Sequence, residues 1–308
     1  MTVDVVCAGH SAYDIFMYLD NFPAENTKSA TELMLEAGGG PAGNAAYLLS
    51  KWGIRCAYAG LVGDDTYGRK IVEEFREADT DLSMLEVRGG HPTPFSVILV
   101  NRRSGSRTII NRRLSGARMD PRIAIPSDLC PKVLLFDGHE PEMSMRLMNA
   151  FPGATSILDA GSLRKGTEML SGAVDFLVCS ERFALSATGL SALETNSDFN
   201  ICLETLYEMN RKHVIVTLGE KGLIGFDGRG TIRMPAYKVN AVDTTAAGDI
   251  FHGAFAYCML KNMNLSGSLR FASMAAAISV TVPGGRQSIP DLQKVRESLE
   301  KAGENSVF

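Results

Sequence analysis

Ala57-Tyr58-Ala59-Gly60-Leu61-Val62, then Gly63-Asp64-Asp65-Thr66, then Tyr67 to Ala78: a short apolar run, a polar turn and a helical pattern follow one another. This is one strand–turn–helix unit, with an Asp placed to cap the helix. The same grammar repeats outward from it. Upstream, Val3–Ala8 reads as a buried strand and Gly43–Trp52 as a helix closed by Gly53. Downstream, strands are expected at Val133–Phe136, Ser156–Asp159, Phe176–Cys179 and Val214–Leu218. A strongly apolar helix follows from Asp249 to about Leu260, and an Ala-rich one covers about Leu269–Val282. Alternation of this kind implies a mostly parallel sheet with helices on both faces.

Residues 12–36 and 93–114 break the rhythm. Phe95–Asn101 alternates, Arg102-Arg103-Ser104-Gly105-Ser106 makes a polar turn, and Arg107–Asn111 returns as the second arm of a hairpin. These two segments are expected to form a separate β lid. Residues 1–11, 37–92 and 115–308 then make the α/β core.

The chain has 308 residues and a net charge of −4. Such a balance argues against a general nucleic-acid binder, which shows a basic excess. Apolar runs such as Val133-Leu134-Leu135-Phe136 are too short to span a bilayer. The start, Met1-Thr2-Val3-Asp4, has no basic n-region and does not read as a secretory signal. Six scattered cysteines without a CxxC pair fit reduced thiols, hence a cytoplasmic setting.

The sharpest chemical signal is Asp243-Thr244-Thr245-Ala246-Ala247-Gly248-Asp249, leading into Ile250-Phe251-His252-Gly253. Small residues entering a buried helix leave consecutive backbone N–H groups at its positive end, an anion site. Asp249 at that mouth is placed to take the proton of an attacking hydroxyl; its structural alternative is a simple N-cap. In Gly38-Gly39-Gly40-Pro41-Ala42-Gly43-Asn44 the glycines permit close ligand approach, and Asn44 suits a ligand hydroxyl or a cap. No G-x-G-x-x-G falls in frame after the first strand, which disfavours a dinucleotide reading. Asp14 follows the first strand, where parallel sheets bind ligands; the alternative is a solvated Asp. Thr217-Leu218-Gly219-Glu220-Lys221-Gly222 ends a strand in a sharp turn.

Together these stretches resemble the PfkB or ribokinase family of sugar kinases. Gly38–Ala46 with Gly60–Gly68 is similar to the family's first signature, and Asp243–Gly253 to its second. The resemblance runs from Val5 to Pro290. It implies a ribokinase-like three-layer α/β sandwich with a small β-sheet lid. It also implies ATP and Mg²⁺, and phosphoryl transfer to a sugar hydroxymethyl group. It makes Asp249 the base and the backbone of Ala246, Ala247 and Gly248 the anion hole. Asp14, Gly39, Gly40, Asn44 and Glu140 fall at sugar-binding positions. Ser180, Thr217, Gly219, Gly222, Gly248 and Ser273 fall on the nucleotide side. Asp243, Thr245, Gly285 and Ser288 become candidates for a monovalent cation such as K⁺.

One stretch departs from the pattern. Where many members carry N-x-x-E for Mg²⁺ and phosphate, this chain reads Ser180-Glu181-Arg182-Phe183, as in the ketohexokinase-like branch. Pro235–Val239, Arg270–Ser273 and Pro283–Arg286 also resemble sulfofructose kinases. In that branch a Lys, an Asn and an Arg hold the sulfonate. Lys28 and Asn111 match the first two, but His139 stands at the third place. Arg112 or Arg113 would then have to replace the missing arginine; otherwise the lid arginines are a solvated hairpin edge.

The expected activity is an ATP-dependent kinase for a small sugar such as ribose, fructose or a related ketose or keto-sugar acid. An anionic sugar (sulfofructose or a sugar phosphate) and a nucleoside are the alternatives, and a non-catalytic sugar sensor is disfavoured by Asp249. A homodimer through the lid sheets is expected, since unpaired edges invite pairing.

Overall fold

A computed structural model describes residues 3–112 and 116–304. Arg113 and Leu114, at the end of the expected lid, lie outside the described residues.

The central sheet is built from β1 (Val5–Ala8), β4 (Cys56–Gly63), β5 (Asp81–Arg88), β8 (Val133–Phe136), β9 (Thr155–Ala160), β10 (Phe176–Ser180), β11 (His213–Thr217), β12 (Leu223–Phe226) and β13 (Thr231–Met234). Their spatial order is β13-β12-β11-β10-β9-β8-β1-β4-β5. All pairings are parallel except β11–β12 and β12–β13. β1, β4 and β8 are buried on both faces, as parallel strands between helices must be. Val5 and Cys7 face one core, and Val6 and Ala8 face the other.

The first core is covered by α1 (Pro41–Lys51), α2 (Thr66–Glu77), α7 (Ala247–Leu260), α8 (Leu265–Ser279) and α9 (Leu292–Lys301). The second is covered by α3 (Pro141–Ala150), α4 (Lys165–Ser171), α5 (Glu181–Thr188) and α6 (Asn196–Asn210). This is the expected three-layer sandwich. α7 is buried from Ile250 to Cys258 because it is apolar all round, and it packs on both α1 and α8. In the opening unit of the sequence reading, Asp65 Oδ1 accepts from Gly68 N at 2.8 Å, so that junction is a capped helix start. The six cysteines are free thiols, with Cys130 the exposed one.

A second sheet, ordered β3-β2-β6-β7, contains β2 (Ala12–Leu19), β3 (Met34–Gly39), β6 (Phe95–Asn101) and β7 (Arg107–Arg112). Residues 20–33 are an irregular and mostly exposed connection, so the segment expected as strands is extended only at its two ends. Register aligns Ala37, Asp14, Ser96 and Asn111 in one cross-strand row. The rows Phe16–Ile98–Ile109 and Tyr18–Val100–Arg107 follow on the same face. Phe16, Tyr18, Ile98 and Val100 form a third small core there. From that face Tyr18 and Arg107 reach Asp243 and Thr244, just before α7.

Candidate active site

α7 begins without a side-chain cap, at Ala246 in the left-handed region with φ 60°. A non-glycine residue held there is strained by roughly 1–3 kcal/mol, a cost that persists where surrounding structure imposes it. The bend leads straight into Ala247, Gly248 and Asp249, and Gly248 is exposed. The first-turn N–H groups of α7 thus stand at a surface that an anion can reach, with the helix dipole behind them.

α1 also starts without a side-chain cap, at Gly40 with φ 89°. Asn44 Nδ2 donates to Asp249 Oδ2 at 2.7 Å, so the starts of α1 and α7 meet at the carboxylate. Burial pushes Asp249 up to about 7, helped by the neighbouring Asp159 and opposed by Asn44, His252 and Arg107. His252 Nδ1 lies 3.2 Å from Asp159 Oδ2 and 2.6 Å from Gly248 O. Its other nitrogen faces Val178 O at 3.2 Å. This buried His–Asp pair braces the anion-site turn from behind.

The residues read as sugar-binding gather about the start of α1. Asp14 is 8% exposed, and burial raises its pKa to about 6. A Cβ on Gly39 would come within 2.0 Å of Asp14 Oδ2, so only glycine lets the loop approach the carboxylate. Glu140 is buried before α3, and its Oε2 accepts from Met119 N at 2.9 Å. Burial raises it to about 8. Asp137 accepts from the backbone of His10, Ala42 and His139, tying β1, α1 and β8 together. His139 stacks on His10 with ring centroids 4.5 Å apart. Asn111 ends the Asp14–Ser96 row, on the site-facing side of β7.

Lys28 does not join them: it is exposed in the 20–33 connection, outside that row. Arg112 also turns away. Its guanidinium lies over Phe95 and donates to Thr93 O at 2.9 Å, on the opposite face of the sheet. Reading the lid arginines as a solvated edge fails for Arg107, whose guanidinium donates to Thr244 Oγ1 at the anion-site turn.

The residues read as a cation site are partly brought together. Asp243 is fully buried; its Oδ1 accepts from Thr245 N, and its Oδ2 from Gly284 N and the Tyr18 hydroxyl. Thr245 Oγ1 is buried with no hydrogen-bond partner. Ser288 instead turns its hydroxyl to Gly285 O at 2.8 Å. On the nucleotide side, Ser180 and Thr217 are neighbours in register at the ends of β10 and β11. Ser180 spends its hydroxyl locally, donating to Gly161 O and capping α5. Gly219 and Gly222 form a tight turn with φ 59° and 97°. Ser273 is mid-α8 and partly exposed. Glu181 is paired with Lys221 at 3.1 Å.

Sequence reasoning missed Tyr18, Glu74, Asp159, His252 and Arg286, and it misread Arg107. For Tyr18 and Arg107 a signal existed: period-2 alternation from Asp14 and from Asn111 places both on the site face. Arg286 lies in the Pro283–Arg286 stretch that carries a family resemblance, but nothing local says that its side chain turns inward.

Comparison with known proteins decides the class. The sequence pattern described as pfkB family carbohydrate kinase matches residues 3–292. The chain belongs to this family. It is similar to the ribokinase of Haemophilus influenzae, at 27% identity over 86% of this chain and 88% of that protein. It is also similar to the deoxyribokinase of Salmonella typhimurium, at 24% over 96% and 99%. The nucleoside kinase of Methanothermobacter thermautotrophicus matches at 26% over 94% and 93%. The solved ribokinase of Thermotoga maritima superposes with a TM-score of 0.81 at 28% identity, covering 97% of this chain and 100% of its own. PfkB-family carbohydrate kinases are phosphotransferases acting on sugar hydroxyls, so the chain is a sugar or nucleoside kinase.

Proposed function

We propose that this pfkB-family protein transfers the γ-phosphoryl group of ATP to a hydroxyl of a small neutral sugar, with Asp249 as the base. The observation that carries this reading is the meeting of α1 and α7. An ionisable carboxylate sits at an uncapped helix start and is held by Asn44. The sugar would lie between Asp14, Gly39, Gly40, Asn44, Glu140 and the Ser96–Asn111 row. Its reacting hydroxyl gives its proton to Asp249 as the oxygen attacks the γ-phosphorus. The N–H groups of Ala247 and Gly248 take up the charge that develops on the phosphoryl oxygens.

ATP is the donor on two supports: the family, and the tight, exposed turn at Gly219–Gly222 beside Thr217. Ribokinase structures of the same fold, from Arabidopsis thaliana among others, are described as complexes with ATP. Mg²⁺ would come with the nucleotide phosphates. Glu181 is engaged by Lys221, so the Ser180–Phe183 stretch does not fit a protein-held metal there. The orphaned Thr245 Oγ1 beside Asp243 fits a monovalent cation, which would neutralise charge under the anion site.

A neutral substrate is favoured because carboxylates dominate the pocket. Asp14, Glu140 and Asp249 all have raised pKa values, and Arg286 is already paired with Glu74. The small sheet acts as a lid in this reading: Tyr18 and Arg107 bond to Asp243 and Thr244, closing it over the site and excluding water. Ile110 is 59% exposed on edge strand β7 and Met34 is 54% exposed on edge strand β3, which supports pairing of two lids in a homodimer. Among the described residues no helix is long and apolar enough to cross a membrane, and the free thiols suit the cytoplasm.

The test is ADP release from Mg²⁺-ATP against ribose, fructose, 2-keto-3-deoxygluconate, fructose phosphates, sulfofructose and adenosine, with Asp249→Asn as control. Turnover with a neutral sugar, lost in the variant, supports the proposal. Turnover confined to anionic sugars would overturn the neutral-pocket reading and bring Asn111 and Lys28 into the site. Turnover confined to adenosine would make the protein a nucleoside kinase. Sedimentation at tens of micromolar tests the dimer, and a monomeric mass would refute it.

A further inference from the structure

Arg286 belongs to the short turn between α8 and α9, yet it is only 3% exposed. Its guanidinium carbon lies over two rings, 4.9 Å from the Tyr47 centroid and 4.5 Å from that of Phe75. Nη1 donates to Glu74 Oε2 at 2.8 Å. Glu74 in turn accepts the Gly38 N–H at 2.9 and 3.0 Å through its two oxygens. Nε faces Asn44 Oδ1 at 3.4 Å. Two ring contacts and the ion pair with Glu74 hold this guanidinium in place, with Nη2 buried and without a hydrogen-bond partner among the described residues.

That placement decides which way the Asn44 amide points. An amide has an end that only accepts and an end that only donates, and an arginine only donates. The end facing Arg286 must therefore be Oδ1, because an NH₂ turned to a buried guanidinium meets like charge. Nδ2 is then directed at Asp249 Oδ2, where it sits at 2.7 Å. Resting on the function proposed above, we infer that Arg286 is a positioning residue for the base, locking the Asn44 amide with its donor end towards Asp249. The hydrogen bonds of Arg286 go to Glu74 and Asn44, so it acts on Asp249 through Asn44.

The charged and polar groups facing Asp249 are Asn44 from α1, His252 from α7, Asp159 from β9 and Arg107 from β7. Asp137 and Arg164 act on Asp159 from behind. Asp159 and burial favour the protonated base, and Asn44 is the neutral group that counters them. Once Arg286 is gone the amide is free to turn, and the carboxylate loses its donor or meets Oδ1 instead. Asp249 then holds its proton to higher pH.

The test compares wild type, Arg286→Lys, Arg286→Met and the double variant Glu74→Gln with Arg286→Met. The double variant removes the buried charge pair together and keeps an acceptor for Gly38, so it folds even if the single Met variant does not. Two readouts are used: kcat/KM from pH 5 to 9.5, and the ¹³C titration of the Asp249 carboxyl in aspartate-labelled protein, assigned with Asp249→Asn. The Met variants should raise both the acid limb and the carboxyl midpoint by about one pH unit, as for one hydrogen bond lost by an ionised group. That is about tenfold lost activity at pH 6 and less than threefold at pH 9. Lysine should fall between, since it donates but does not stack. An unmoved carboxyl midpoint, or a rate lowered equally at every pH, would make Arg286 merely structural and overturn the inference. If no sugar is turned over, the function proposed above fails, and the carboxyl titration still decides this one.

Discussion

Replacing Glu140 by glutamine should stabilise the protein at high pH while impairing sugar binding. Glu140 lies before α3, 6% exposed, and burial raises it from an ordinary 4.5 to about 8. The folded state therefore holds a proton that the unfolded chain releases near pH 4.5. Stability from this group is complete below about 4.5 and is lost as pH rises through about 8. At roughly 1.4 kcal/mol per pH unit, a gap of about 3.5 units amounts to an upper bound of about 5 kcal/mol. Glutamine keeps an acceptor for Met119 N but adds a buried NH₂ that must find its own partner, which costs about 1–3 kcal/mol. The expected net gain above pH 8 is about 2 kcal/mol, or roughly 4–8 °C in Tm. Thermal unfolding of wild type and Glu140→Gln at pH 5 and pH 8.5 checks it. Glutamine should lie below wild type by about 1–2 kcal/mol at pH 5, where its buried NH₂ is the larger effect, and above it at pH 8.5, where wild type carries the ionised carboxylate. A difference of the same size at both pH values, or a less stable variant at pH 8.5, would refute the reasoning. The same variant should raise KM for the sugar at least about tenfold; the carboxylate is then kept for binding at a cost in stability.

The remaining predictions concern the site directly. Asp249→Asn should lower kcat by about 10²–10⁴-fold with the sugar KM little changed, measured by ADP release. In wild type, kcat/KM should rise through about pH 7 as Asp249 ionises; a limb near pH 4 would mean another group sets it. Gly39→Ala places a Cβ 2.0 Å from Asp14 Oδ2, so Asp14 must move; sugar KM should rise at least about tenfold while nucleotide KM holds. Thr245→Val removes the orphaned buried oxygen beside Asp243. Any stabilisation by K⁺ in thermal unfolding should disappear with it, and the unliganded protein should lose no stability.

The amino-acid sequence by itself determined the architecture and the centre of the site. Strand and helix periods are local properties, and an apolar run such as Val133–Phe136 is a buried strand wherever it is placed. The small residues before Asp249 and the glycines before Asn44 were legible for a related reason: they are backbone requirements, written into consecutive positions. It is the family resemblance these stretches carry that puts the Asp249 carboxylate and the Asn44 amide in one site. The arrangement around them came from tertiary structure alone. Tyr18 reaches Asp243 across 225 positions, and Arg286 reaches Asn44 across 242. No local pattern records such contacts, because a polar side chain's environment is set by whichever element packs against it. Burial is decided in the same way. The sequence offers Glu140 as a sugar-site residue and nothing for Asp159, but for both it is burial in the folded chain that withholds the water which would keep them ionised.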